Sequence, residues 1–201
     1  MTQFSPSRAV VLVACVGLAT GALTLMGQKF MPGEWNTLVN SGAVWLVSAF
    51  LIGSRMPAPR WAAGAGLGTL LATLLGYYVP ALLRGTAESL YFIALWTGAA
   101  LVAGPLYGLA GRWWHSNRRV LRVTSLALLG GVFVAEGSHL VWGLRYHASG
   151  WSMIAAGVLA AVVLARSGRD RLYTALALPF VAGAALATYG VIAWLSVLPA
   201  R

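Results

Sequence analysis

The chain has 201 residues, of which 59% are apolar and 9% charged, where an average soluble domain carries roughly 25% charged residues. Fourteen Lys and Arg face four acids, for a formal charge of +10. This composition excludes a soluble catalytic domain: the longest connection between apolar stretches is about ten residues, and the stretches themselves are long enough to cross a hydrocarbon core ~30 Å thick. The bases are scattered through short loops rather than gathered on a folded face, so they read as membrane topology and not as a nucleic-acid surface.

The predicted fold is all-α, a polytopic transmembrane bundle forming a single domain over 1–201. Seven spans are expected, at 9–27, 35–53, 61–83, 88–110, 120–143, 151–165 and 172–198, with six as the alternative. Residues 9–25 behind Arg8 have the length of a signal peptide. Six further spans and the lack of an Ala-x-Ala-like site instead predict a retained first helix. Met31-Pro32-Gly33, Pro57-Ala58-Pro59 and Arg84-Gly85-Thr86 punctuate the first three connections.

Alternation of charge orients these spans. Arg8, Arg55, Arg60, Arg112, Arg118, Arg119, Arg122, Arg166, Arg169 and Arg171 fall on one side; Lys29, Arg84, Arg145 and Arg201 fall on the other. Basic residues accumulate on the cytoplasmic side, so the N-terminus is expected inside and the C-terminus outside. Trp35, Trp61, Trp113, Trp114, Trp142, Trp151 and Trp194 lie near span ends, where an indole rests in the headgroup layer. Trp45 and Trp96 sit deeper and need packing or ligand partners. Cys15 is the lone cysteine, so no intrachain disulfide forms.

Three Gly-x-x-x-Gly pairs, Gly17/Gly21, Gly64/Gly68 and Gly104/Gly108, are expected to bring helices of this chain into close approach rather than to dimerise it. Pro105 and Pro179 lie inside spans and predict kinks.

Polar residues collect in the outer halves of the spans. Glu34, Glu88 and Glu136 lie there, with Gln28, Asn36, Asn40, Tyr77, Tyr78, Tyr91, His139 and Tyr189 around them. Asp170, in an Arg-rich inner loop, is expected to be a solvated partner of Arg169 or Arg171. Glu136 lies about ten residues before Tyr146, hence roughly 10–15 Å below the outer rim. An ionisable group at that depth must be paired, protonated or facing water. His139 follows one turn later, so the two either contact a ligand or satisfy each other. Asn36 and Asn40 share an i, i+4 face beside Glu34, as one wall of a site or as a helix cap and an interhelical bond. Of Tyr77 and Tyr78 at most one can line a cavity, and Glu88 with Tyr91 makes a further i, i+3 pair. A helix-start acid such as Glu88 is also what the helix dipole favours.

Other chemistries lack their parts. Glu136-x-x-His139 is half of a four-helix di-iron ligand set, and the second copy is missing. His115 and His147 are assigned to opposite sides of the membrane. Lys29, the single lysine, lies at a span end and not in the last helix, where a retinal Schiff base would need it. There is no Gly-x-x-x-x-Gly-Lys phosphate loop, so the chain does not hydrolyse nucleotides. No metal or cofactor is predicted, and no residue is assigned a catalytic role.

The stretches Gly21-Ala22-Leu23-Thr24 through Gln28, Pro32-Gly33-Glu34-Trp35-Asn36 and Leu38-Val39-Asn40-Ser41-Gly42-Ala43-Val44-Trp45 resemble a largely actinobacterial family of small integral membrane proteins of unknown function. That resemblance implies a multi-pass protein of the bacterial cytoplasmic membrane and carries no activity with it. More loosely, the size and outward pocket look like the substrate-binding subunits of energy-coupling-factor vitamin transporters, which have six helices.

The expected function is binding or transport of a small, cationic or aromatic solute through an outward-facing pocket. Glu136, His139, Asn40, Asn36, Glu34 and Tyr189 would supply polar contacts, and Tyr78, Tyr91 and Trp96 stacking surface. A separate energising or partner membrane subunit would then be needed. Two alternatives are an intramembrane enzyme using Glu136 and His139 on a lipid-linked substrate, and an accessory subunit of a membrane complex.

Overall fold

The computed structural model describes residues 5–86 and 89–196, and every regular element among them is helical. Helix α1 spans Pro6–Gly27. A 3-10 turn, Gly33–Trp35, leads into the one-turn helix α2, Asn36–Val39, and after a break α3 runs over Gly42–Ser54. Then come α4 (Pro59–Leu83), α5 (Leu90–Trp114) and α6 (Arg119–Ser138), which ends in a π turn over His139–Gly143. The last two are α7, His147–Val163, and α8, Gly168–Ser196. Pro6 and Pro59 open α1 and α4, at positions where a missing N–H leaves no bond unmade.

Six segments among the described residues, with Gly33–Ser54 taken as one, are long and apolar enough to cross a membrane. The seventh, α7, has 17 residues, the lower end of the ~17–25 that a span requires. The protein is a multi-pass, membrane-spanning helical bundle. Large apolar side chains on its surface, such as Phe180 at 81% exposure and Val102 at 72%, are what a hydrocarbon solvent permits. The expected last span reaches residue 198, whose final positions lie outside the described residues, as do Glu88 and Arg201.

One correction concerns where a helix breaks. Helices α5 and α8 carry Pro105 and Pro179 in their interiors, while an interruption comes inside the expected span 35–53, at Asn40-Ser41, with no proline present. Asn40 has φ −95° and ψ 35°. Asn and Ser side chains compete for backbone hydrogen bonds, and a following Gly disfavours helix further, so Asn40-Ser41-Gly42 interrupts an otherwise apolar segment.

The chain forms two compact units. The first comprises the chain up to Phe30 together with Val44–Arg112. Here α1 lies along α4 with almost no side chain between them. A methyl placed on Gly17 would stand 2.5 Å from both Ala72 Cβ and the Thr69 carbonyl, and one on Gly21 would strike the Thr73 carbonyl. Gly104 and Gly108 of α5 seat against Leu67, Gly66 and Ala62 of α4, while Gly53 of α3 closes on Gly108. Both pairs therefore serve packing within the chain. The pair Gly64/Gly68 does not: Gly64 meets nothing within 4 Å and Gly68 faces Val13 of α1. Gly66, between them, makes the close contact. Ile52, Met56, Ala62 and Ala65 form an apolar core packed by Leu12 and Val16. Trp45 finds packing partners here: its Nε1–H donates to Thr24 Oγ1 at 3.0 Å and its ring meets Tyr77 at 5.9 Å.

The second unit comprises Met31–Ala43 and the chain from Trp113 on. Helix α6 is its axis, packed by α7 and α8. Gly130 opposes Gly157 and Gly137 opposes Gly150, each methyl-equivalent position lying 2.5–2.9 Å from the opposite carbonyl oxygen. Two glycines seven residues apart on α6 thus mesh with two seven apart on the antiparallel α7. Gly131, next to this seam, receives Val181 of α8.

Candidate functional site

The site follows from the break at Asn40-Ser41. Restarting a helix exposes backbone N–H groups that the helix cannot satisfy. Ser41 stands before the first turn of α3, fully buried, and α6 brings Glu136 to that turn, 6% exposed. Glu136 Oε2 accepts from the Ala43 N–H at 2.8 Å and from the Tyr189 hydroxyl at 2.6 Å. The Ser41 hydroxyl bonds the same carboxyl group. Gly42 lies in between: a methyl there would stand 3.4 Å from Tyr189 Oη and 3.8 Å from Glu136 Oε2, in ordinary van der Waals contact with both. A carboxylate on the first turn of a helix is favoured both by those N–H groups and by the helix dipole.

His139 does not pair with Glu136 through a hydrogen bond. Its ring stacks on Tyr189, centroids 5.9 Å apart and planes inclined by 17°. It opens the π turn, in which the Leu144 N–H returns to the His139 carbonyl at 3.2 Å and Arg145 takes φ 61°. Single π turns inside α-helices are uncommon and concentrate at functional positions. The phenol of Tyr189 therefore joins the two groups, its hydroxyl on the carboxylate and its face on the imidazole.

The nine candidate residues divide. Glu136, His139 and Tyr189 form one cluster, and Asn40, exposed, stands at the break one residue before Ser41. Asn36 and Asn40 bracket the single turn of α2, the Asn40 N–H bonding the Asn36 carbonyl at 3.2 Å, and the helix stops at Asn40. The Asn36 amide donates to the Met31 carbonyl at 3.3 Å. Glu34 turns to α7, where its Oε2 accepts from the Ser149 N–H at 3.2 Å and the Ser149 hydroxyl at 3.3 Å. Tyr78, Tyr91 and Trp96 belong to the first unit. Tyr78 is buried edge-on to Tyr77 at 5.0 Å, Tyr91 meets Phe92 at 5.7 Å, and Trp96 is half-buried on α5. Glu88, paired with Tyr91 in the sequence, lies outside the described residues.

Asp170 corrects its expected role. It is fully buried rather than solvated and its partners come from α6, not from Arg169 or Arg171. Arg122 grips it with Nε to Oδ2 at 3.0 Å and Nη2 to Oδ1 at 3.2 Å, and Arg119 adds a contact at 3.3 Å. The remaining Arg122 donor reaches the carbonyls of Ser116 and Asn117, both at 3.0 Å. The Asp170 N–H meets Ser167 Oγ at 3.1 Å, a side-chain cap on α8. Residues Arg119 and Arg122, i and i+3 on one helix, were the available signal for this partner. Among the described residues no three His, Cys, Asp or Glu side chains gather as a metal site.

Residues 2–196 match the model of a family of unknown function, DUF6518. No curated protein and no solved structure matches the chain.

Proposed function

Because the chain belongs to this family of unknown function, which brings no activity with it, we propose from the site itself that the protein binds or transports a small cationic solute at the broken second segment. The observation that carries this reading is the Asn40-Ser41 interruption with its restarted helix lodged on a buried carboxylate. Irregular backbone at membrane depth persists only where protein covers it or where it lines a cavity, and membrane transporters place solute sites at such discontinuous helices.

Glu136 is the anchor in this reading. The Ala43 N–H donates to its Oε2 and fixes where the carboxyl group stands. An ammonium or ring N–H of the solute takes over the place of the Tyr189 hydroxyl, and the stacked faces of Tyr189 and His139 receive its cationic or aromatic body. Asn40 offers an amide at the rim. The chain has no phosphate-binding loop, so uphill transport would draw on a separate energising subunit.

The test is thermal stabilisation of purified protein by a panel of amines and vitamins, repeated with Glu136→Gln and His139→Ala. Stabilisation by a cationic member that is lost in Glu136→Gln supports the reading. Stabilisation that survives both substitutions removes the site. Product formed from added lipid extract, in place of stabilisation, would select an intramembrane enzyme.

A further inference from the structure

We propose that the two loops of the second unit that join α5 to α6 and α7 to α8, together with the arginine-bearing first turns of α6 and α8 that they lead into, form a binding site for the headgroup of an anionic phospholipid. The two loops are fixed to each other. Trp114 Nε1–H donates to the Leu164 carbonyl at 3.2 Å, Arg122 and Arg119 hold Asp170, and Arg166 approaches the His115 ring at 3.4 Å. Six arginines, Arg118, Arg119, Arg122, Arg166, Arg169 and Arg171, share this end with a single acid, Asp170. That acid is consumed: its two oxygens take Arg122 and Arg119, and it is fully buried.

The rest of the charge stands outside. Arg171 Nε is bound to the Val162 carbonyl, which orients it, and the Arg119 guanidinium lies 5.8 Å over the Tyr173 ring. Arg118, just before α6, and Arg169, in the first turn of α8, are exposed and have no side-chain partner among the described residues. Immediately membrane-ward of them come exposed apolar side chains: Val120 at 74%, Val163 at 70%, Leu172 at 57% and Leu176 at 59%. Fixed guanidiniums above an apolar flank match a molecule with a phosphate at one end and acyl chains at the other. Guanidinium binds phosphate oxygens in pairs, and basic pockets at helix ends select anionic lipids. A soluble phosphate would use the arginines and leave the flank unused, so the lipid is the occupant that accounts for both.

The experiment reconstitutes the full chain in nanodiscs of phosphatidylcholine alone and of equal parts phosphatidylcholine and phosphatidylglycerol, then measures co-retained lipid by native mass spectrometry. Wild-type protein is expected to retain phosphatidylglycerol over phosphatidylcholine by about tenfold or more. Arg118→Gln/Arg169→Gln, which disturbs no internal contact, is expected to bring that ratio within about threefold of unity, and Arg118→Lys/Arg169→Lys to keep most of it. Equal retention of both lipids by wild type, or an unchanged preference in the glutamine variant, overturns the proposal. So does equal thermal stabilisation by inorganic phosphate or free glycerophosphoglycerol in detergent, which would make the site one for soluble phosphate.

Discussion

The Ala43 N–H and the Glu136 carboxylate, 93 residues apart in sequence, meet at 2.8 Å at the start of α3. The same arrangement recurs wherever an acid is described. Glu34 meets the first turn of α7 through Ser149, and Asp170 sits in the first turn of α8. In a chain with four acids, three are placed at helix starts, where unpaired N–H groups and the helix dipole stabilise negative charge. In hydrocarbon this is among the few environments that tolerate a carboxylate.

Removing the Glu136 acceptor should therefore destabilise the fold locally. Glu136→Ala strands the Ala43 N–H and removes one acceptor of the Tyr189 hydroxyl, and a buried donor left unpaired costs about 1–3 kcal/mol. A loss of about 3 kcal/mol in reversible unfolding in bicelles is expected, with Glu136→Gln losing about half as much because one carbonyl oxygen remains. Tyr189→Phe removes the 2.6 Å bond from its hydroxyl to the Glu136 carboxyl group, worth about 1 kcal/mol. The Glu136→Ala/Tyr189→Phe double variant should be less damaged than the two single losses added together, since both delete the same bond. Full additivity would show that the bond contributes nothing.

Asp170 should be the more damaging acid to change. Its pair with Arg122 is bidentate, and Arg122 itself is only 14% exposed. Cutting one partner from a buried pair leaves the other charge uncompensated, at about 3 kcal/mol. Asp170→Asn and Arg122→Gln should each lower the unfolding midpoint clearly. Arg119→Gln should change it by under about 1 kcal/mol, because that side chain is 44% exposed and screened. Equal effects from Arg119 and Arg122 would contradict the geometry.

Two glycines of α4 should respond in opposite directions. A methyl on Gly66 would lie 2.8 Å from Gly108 Cα, and the neighbour is backbone that cannot turn aside. Gly66→Ala is expected to cost about 1–3 kcal/mol through overpacking. Gly64→Ala meets nothing within 4 Å and should be neutral or gain up to about 1 kcal/mol from helix propensity. Unfolding midpoints of the two variants measured side by side check this.

The contrast between these glycines shows what sequence could and could not convey. Span positions were readable because hydrocarbon thickness imposes a length on apolar runs. Gly17/Gly21 and Gly104/Gly108 were readable from four-residue spacing, yet the same spacing at Gly64/Gly68 was coincidental. The seam of Gly130, Gly137, Gly150 and Gly157 has a seven-residue spacing, which a search for four-residue pairs passes over. Glu136 stood out as an acid in an apolar run. Its first partner did not, because a backbone N–H at Ala43 is free for it only after the helix breaks, and three polar or small residues within a long apolar run do not by themselves mark a break. For Asp170 the adjacent Arg169 and Arg171 drew the assignment. Residues one apart on a helix point about 100° away from each other, which left room for Arg119 and Arg122 of another helix.

Labelling single cysteines in intact cells reads out the side of the membrane on which the arginines lie. In a Cys15→Ala background, Asn117→Cys and Arg169→Cys are expected to be protected until the cells are permeabilised, because their loops carry most of the basic residues. Thr86→Cys and Arg145→Cys should react from outside. The pair Arg145 and Arg169 brackets α7, whose 17 residues rise about 25 Å. If α7 crosses, these two positions label oppositely. If both label from the same side, α7 does not cross, six spans remain, and the alternation of charge after Arg145 loses its meaning as a topology signal. Opposite labelling with Asn117 outside would instead invert the whole chain and place the phospholipid site in the other leaflet.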